Sequence, residues 1–321
     1  MFSHRKGTLI FKTKKQTRMI DLINLNITDG NRFENALESD KSIDLISNFN
    51  TLTGEILKFP KKTKFQNFNI RVNEVYSKIV GSFHKYKNLI KYNKDHNYDD
   101  FTYNEFSELL PDFIKKFDLE DNNSISKLEL GFNIELDFNP QKFIDDNLIM
   151  YNNKNANKDL KLNGKGDFKE FIKNDYSIKI YNKSKQYKKK NHILRIELKL
   201  SSKRKIQHFG IFCLNDLLDK KKLSDMFIFL YNEFDKLTII DNFNFDNLPQ
   251  KDREKLIQYT NPNYWNSLKS KNKSYKVIYR LKNDFDLLLN KNNLNTVKKE
   301  MKQKLTHKFE YLISDNNTNY N

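Results

Sequence analysis

Leu128-Glu129-Leu130-Gly131-Phe132-Asn133-Ile134-Glu135-Leu136 alternates apolar and polar side chains along its whole length. Successive side chains of a β-strand point to opposite faces, so this pattern predicts a half-buried strand. Its apolar face carries Leu128, Leu130, Phe132, Ile134 and Leu136, and its polar face carries Glu129, Asn133 and Glu135. Two later stretches repeat the design. Ile178-Lys179-Ile180-Tyr181-Asn182-Lys183 sets Lys179, Tyr181 and Lys183 on one parity. Leu194-Arg195-Ile196-Glu197-Leu198-Lys199-Leu200 does the same with Arg195, Glu197 and Lys199. If the three strands share one antiparallel sheet, a single polar face gathers a tyrosine, carboxylates and cations. Any half-exposed antiparallel sheet can also look like this, so alternation alone leaves both readings open.

Outward from these strands, the chain mixes strand and helix signals without strict alternation. That order favours an α+β fold, a central antiparallel sheet with flanking helices, over a doubly wound one. Strands are expected at Met19 to Ile27, Asn67 to Tyr76, Ser77 to Lys85, Lys127 to Phe138, Ser177 to Asn182 and Ile193 to Leu200. Thr102 to Asp118 has apolar residues at helical spacing behind a capping threonine. Leu214 to Leu237 repeats that spacing, interrupted near Lys220-Lys221-Lys222. Tyr151 to Lys165 is rich in Asn and Lys and reads as a loop. A helix over Gln250 to Tyr259 breaks at Asn261-Pro262, where proline removes a donor and restricts its neighbour. Trp265, just beyond, reads as a packing residue. The expected organisation is a basic extension over 1–16, a main α+β unit over 17–245 and a small helical region over 246–321 with a polar tail from Ser314.

Lys and Arg number 58 against 41 Asp and Glu, a formal charge of +17. Such a chain is drawn to polyanions by long-range attraction and counterion release. The lone cysteine, Cys213, excludes an intrachain disulfide and a thiolate zinc cluster. No stretch approaches the roughly 18 apolar residues of a membrane span, and the basic start lacks a signal-peptide core. The expected setting is cytoplasmic, with no membrane partner.

The charge is concentrated. Between Lys183 and Lys205 stand Lys183, Lys185, Lys188, Lys189, Lys190, Arg195, Lys199, Lys203, Arg204 and Lys205 against one acid, Glu197. With Lys179, these cations are the candidate DNA contacts, and Tyr187 inside the run could stack on a base. A solvated hairpin tip would be lysine-rich as well. A tyrosine oxygen can attack a phosphodiester and hold the broken strand covalently. Carboxylates hold Mg²⁺ or Mn²⁺ through hard oxygen ligands, and a nearby lysine stabilises the charge that develops at the phosphate.

With these residues in view, the chain resembles the replication endonucleases of filamentous phages and their plasmid and phage relatives, the single-strand nickases that start rolling-circle synthesis. The resemblance spans about Arg18 to Asp219. Met19-Ile20-Asp21-Leu22 resembles the family's opening strand, and Gly81-Ser82-Phe83-His84-Lys85-Tyr86 with His96-Asn97 and Asp100-Phe101 resembles its Gly/His/Asn-containing turn. Lys127-Leu128-Glu129 resembles an Arg-Ile-Asp strand, and Ile180-Tyr181-Asn182-Lys183 the strand bearing the nicking tyrosine. Arg195-Ile196-Glu197-Leu198 resembles the Arg-aromatic-Glu strand, followed by His208-Phe209-Gly210 at the next turn.

The resemblance implies Tyr181 as nucleophile, Lys183 as its electrostatic partner, and Glu129 and Glu197 as ligands of Mg²⁺ or Mn²⁺; His84 is a separate candidate for a third ligand or phosphate contact, against a histidine satisfied by its neighbours. It implies a site-specific single-strand endonuclease that also rejoins DNA, acting on double- and single-stranded origin DNA alongside a host helicase and polymerase. Departures exist: none of the six histidines forms a His-x-His pair, and the resemblance leaves open whether Tyr187 takes part in rejoining. Two rival readings stand beside replication initiation. One is a mobilisation relaxase of the same chemistry, the other a non-catalytic DNA-binding replication regulator.

Overall fold

The computed structural model describes residues 19–162, 166–241, 245–271 and 273–314. The basic extension over 1–16 and most of the polar tail lie outside them. Twelve strands are present among the described residues: β1 Ile20–Ile27, β2 Ile46–Phe49, β3 Ile56–Phe65, β4 Phe68–Val72, β5 Ser77–Ser82, β6 Ser124–Glu135, β7 Leu148–Tyr151, β8 Lys158–Leu162, β9 Gly166–Ile172, β10 Tyr176–Asn182, β11 Ile193–Leu200 and β12 Leu237–Ile239. Ten form one sheet in the order β2-β3-β4-β5-β1-β6-β11-β10-β9-β8, and β12 pairs separately with β7. Every pairing is antiparallel. The fold is α+β, with this sheet at its centre.

The helices are α1 Gly30–Ser39, α2 Phe83–Tyr92, α3 Tyr103–Lys116, α4 Pro140–Lys142, α5 Lys183–Gln186, α6 Lys203–Gln207, α7 Lys220–Asp235, α8 Gln250–Tyr259, α9 Pro262–Ser270, α10 Tyr275–Lys291 and α11 Thr296–Ile313. Helix α3 starts where the capping threonine was expected. Thr102 accepts from the Glu105 backbone while Glu105 returns a bond to the Thr102 backbone, a full capping box. Before α7, a short turn over Asn215–Leu218 ends at Asp219, whose carboxylate caps Lys221 and Lys222. The interruption sits at this cap.

The alternation read from sequence becomes two faces. Leu128, Leu130, Phe132, Ile134, Ile178, Ile180, Ile196 and Leu198 are buried in the main core together with α1, α3, α7 and α11 side chains. Phe132 packs on Phe227 and Phe309, and Phe68 of β4 meets Phe113 of α3. A second, smaller core joins Leu256, Tyr259, Trp265, Phe285, Leu288 and Leu289 with Met150 and Ile240. Trp265 is a packing residue there, its indole nitrogen donating to the Tyr259 carbonyl at 2.7 Å. Pro262 opens α9, a position where its missing N–H costs nothing.

Two expectations are corrected. The strand expected through Lys85 stops at Ser82, whose hydroxyl caps α2 by accepting from the Lys85 backbone. The α2 pattern was hidden because its buried face holds His84, Lys87 and Asn88 beside Phe83 and Tyr86. The stretch read as a loop over Tyr151 to Lys165 contains β8, which pairs with β9 at the sheet edge. An edge strand tolerates a polar sequence because only one of its sides is paired. No helix of the described residues is long and apolar enough to cross a membrane.

Candidate active site on the polar face of the sheet

Register brings the three alternating strands together in the arrangement their parity predicts. Across β10 and β11, Tyr181 stands opposite Arg195 and Lys179 opposite Glu197. Across β11 and β6, Arg195 stands opposite Asn133, Glu197 opposite Gly131 and Lys199 opposite Glu129. The Tyr181 hydroxyl donates to Glu197 Oε1 at 2.9 Å and lies 3.0 Å from Lys183 Nζ, which donates to it. Lys183 opens α5, yet its ammonium folds back over the strand end. Tyr181, Lys183 and Glu197 are all buried.

A third acid completes the group. Asp21, Glu129 and Glu197 place carboxylate oxygens within 4.8 Å of one another. Strand β1 delivers Asp21 through an irregularity. Ile20 pairs with Leu130 and Ile23 with Leu128, so three steps along β1 match two along β6. Such a bulge re-aims a side chain. Without it, Asp21 would share the core face with Ile23, Leu25 and Ile27. With it, Asp21 reaches the polar face and accepts from Arg195 Nη2 at 2.6 Å and from Asn97 Nδ2 at 2.8 Å, and it takes a short hydrogen bond from Ser82.

Arg195 is the centre of this network. Its side chain has no exposed surface, and its donors reach Glu197 at 2.5 Å, Asp21 at 2.6 Å and Asn133 at 3.1 Å. A buried guanidinium is tolerable only when its charge and donors are matched in this way. Gly131 makes the crossing feasible, because a Cβ there would lie 2.2 Å from Arg195 Nη2.

The electrostatics follow from burial and these partners. Burial and then the negative charge of Glu197 raise Tyr181 well above its ordinary value. Burial would lift Glu197 too, but the charges of Arg195 and Lys183 outweigh it and hold Glu197 low. Glu129 is pushed up to about 7 by burial and by the Glu197 charge, with Lys199 at 3.1 Å opposing. Burial is the larger cause of that rise, and the neighbouring carboxylate adds to it. Three convergent oxygen donors of this kind fit a hard divalent cation.

The loop His96 to Phe101 lies over this face and contributes Asn97. Asn97 Oδ1 accepts from Lys183 at 2.8 Å and from the Tyr187 hydroxyl at 2.6 Å, while its amide nitrogen holds Asp21. Asp99 anchors the loop, bonded to His84 Nε2 at 2.7 Å and Asn88 Nδ2 at 2.7 Å. His84 is therefore a partner of Asp99 on α2, and the structure does not bring it into the three-acid group.

The basic run separates into parts. Lys188, Lys189 and Lys190 are exposed on the turn between α5 and β11, beside Tyr181 and Lys183. Lys185 pairs with Asp167 at 3.1 Å, Lys199 with Glu129, and Lys179 lies over the Phe168 and Tyr181 rings. Lys203, Arg204 and Lys205 stand on α6, at the opposite end of the β10–β11 hairpin, where Arg204 pairs with Asp175 and Lys205 lies over Phe229. Arg195, counted from sequence among the DNA contacts, is instead enclosed and committed to the acids.

Asp21 and Asn97 received no role from the sequence. The signal for Asp21 was an acid on an otherwise apolar parity of β1. Asn97 gave no such signal, since its role depends on how a loop folds back.

No family model matches the chain, and no curated protein matches it. Among solved structures, the rolling circle replication initiator protein from Geobacillus stearothermophilus aligns with 68% of this chain and 84% of its own, at 9% identity and a TM-score of 0.37. A superposition that loose identifies neither family nor activity.

Proposed function

We propose that the protein is a rolling-circle replication initiator that cuts one DNA strand through Tyr181 and later rejoins it. The observation that carries this reading is the Tyr181 hydroxyl, within hydrogen-bond reach of both a carboxylate and an ammonium, beside three clustered acids. In the proposed step Tyr181 Oη attacks the phosphorus, its proton passes to Glu197, and the bond to O3′ breaks. The products are a 5′-phosphotyrosyl link and a 3′-hydroxyl protonated from solvent. Attack by that hydroxyl on the phosphotyrosine reverses the step and closes the strand. Lys183 stabilises charge on the phenolate oxygen as the proton leaves. Asp21, Glu129 and Glu197 would hold Mg²⁺ or Mn²⁺, which supplies positive charge to the scissile phosphate. Origin DNA, a host helicase and a polymerase are the proposed partners.

Full-length protein incubated with Mn²⁺ and a pool of random-sequence single-stranded oligonucleotides should yield an adduct that survives SDS. Mass spectrometry should find the 5′-phosphate on Tyr181. Tyr181→Phe should abolish the adduct while keeping DNA binding within about twofold, since only an enclosed hydroxyl is lost. An adduct on another residue refutes the assignment to Tyr181, and none with either metal refutes the nicking reading and leaves a non-catalytic DNA-binding regulator in its place. A mobilisation relaxase would give the same adduct, and would be distinguished by a need for a transfer apparatus.

A further inference from the structure

Beside the site stands a group of rings that the chemistry above does not use. Tyr98, half-buried in the loop that delivers Asn97, stacks on His96 with ring centres 4.2 Å apart and an interplanar angle of 21°. The Tyr187 ring meets Tyr98 edge-on at 5.2 Å. Lys189, exposed on the neighbouring basic turn, places its ammonium 3.7 Å from the centre of the Tyr98 ring. We infer that Tyr98 is the binding platform for one unpaired base of the DNA strand, a nucleotide or two from the phosphate presented to Tyr181.

Position supports this first. Tyr187 bonds Asn97, Asn97 bonds Lys183, and Lys183 bonds Tyr181, with no link longer than 3.0 Å. Tyr98 follows Asn97 in the chain and meets the Tyr187 ring, so the platform is joined to the nucleophile through this short chain of contacts. Rigidity supports it second. Asn133 donates to the Tyr98 carbonyl at 2.8 Å, Lys87 donates to the Asp100 carbonyl at 2.8 Å, and Asp99 is bonded to His84 and Asn88. A ring on an anchored loop loses little freedom when a base lies against it.

Chemistry is the third support. An ammonium over an aromatic face is attracted by the ring's quadrupole, which offsets the exposure of that face. A flat base can take the same place, and Lys189 then moves to the phosphate of the incoming nucleotide. Stacking tolerates any base because each has a π face, and it requires that the base be out of a duplex. Tyr98 would thus make the site selective for an unpaired strand without reading its sequence.

The inference rests on the reading that DNA reaches Tyr181, and its test avoids the nicking step. Full-length protein carrying Tyr181→Phe is titrated with fluorescein-labelled oligothymidylate and with an abasic deoxyribose phosphate strand of equal length. Adding Tyr98→Leu should weaken oligothymidylate binding about tenfold, the weight of one stacked base, and leave abasic binding unchanged. Tyr98→Phe should keep both. Equal weakening of both strands by Tyr98→Leu, or no weakening of either, overturns the inference. A second measurement needs no substitution at the platform: photocrosslinking of a 5-iododeoxyuridine strand should label Tyr98, and crosslinks confined to other residues overturn it. Absence of a phosphotyrosyl adduct in the wild-type protein would sink the nicking reading alone, so the two fail separately.

Discussion

Arg195 holds Asp21 and Glu197 on one fully enclosed guanidinium, and Gly131 leaves it the room to do so. A methyl group at Gly131 would press on Nη2 and Cζ at 2.2 and 2.6 Å. A flexible arginine at the surface would swing aside, but this one is bound on three sides. Gly131→Ala is therefore expected to cost on the order of 3 kcal/mol, the scale of breaking a buried ion pair, measured by urea unfolding, and to abolish adduct formation. Glu129 gives a prediction in pH. Its folded value is about 7 against an ordinary 4.5, so folding takes up a proton between those values. Its stabilising contribution is present in full below about 4.5 and is lost as pH rises through 7. Glu129→Gln cannot show that loss. In EDTA the variant should match the wild type near pH 5 and exceed it near pH 8 by about 1–3 kcal/mol, while losing metal-dependent activity; a gain that is the same at both pH values counts against the buried, protonated carboxyl.

At the scale of elements, the β10–β11 hairpin carries the basic run to two separate places. The turn with Lys188, Lys189 and Lys190 adjoins the active site, whereas α6 with Lys203, Arg204 and Lys205 stands at the hairpin's other end. Each phosphate contact removed lowers the slope of log K against log salt by about one. Replacing the three turn lysines with serine should lower that slope by about two to three and weaken binding to single strands. Replacing the α6 cations should leave the slope unchanged within about half a unit. A slope carried by α6 would move the DNA track away from Tyr181. The same hairpin shows what sequence makes legible. Parity along β6, β10 and β11 put Glu129, Tyr181, Arg195, Glu197 and Lys199 on one face, because alternation is a local property of each strand. Asp21 was hidden by a bulge that reverses its parity, and α2 by polar side chains on its buried face. The division of the lysines was hidden too, since neighbours in a sequence can sit at opposite ends of a strand pair.

For the whole molecule, the question is how the C-terminal helices relate to the sheet that holds the site. Helices α8, α9 and α10 build their own small core around Trp265, Phe285 and Leu256. Helix α11 instead returns to the main core. Met301, Leu305, Phe309 and Leu312 are buried there, and Phe309 stacks on Phe227 of α7 with ring centres 4.0 Å apart. Phe227 and Phe309 both contact Phe132, on the strand whose opposite face carries Glu129 and Asn133. The last helix of the described residues thus backs the strand that supports the acids. Phe309→Ala leaves a cavity behind β6 and is expected to cost about 3 kcal/mol. Trp265→Ala should cost a similar amount, yet it acts on the second core. If the two cores unfold together, each substitution shifts one common transition. If they unfold apart, Phe309→Ala lowers the step that destroys Tyr181 adduct formation, and Trp265→Ala lowers a separate step that leaves adduct formation in place. Thermal unfolding followed by Trp265 fluorescence and by adduct yield separates these outcomes. Because α11 follows α8 to α10 in the chain and still closes the main core, coincident transitions are the expected result.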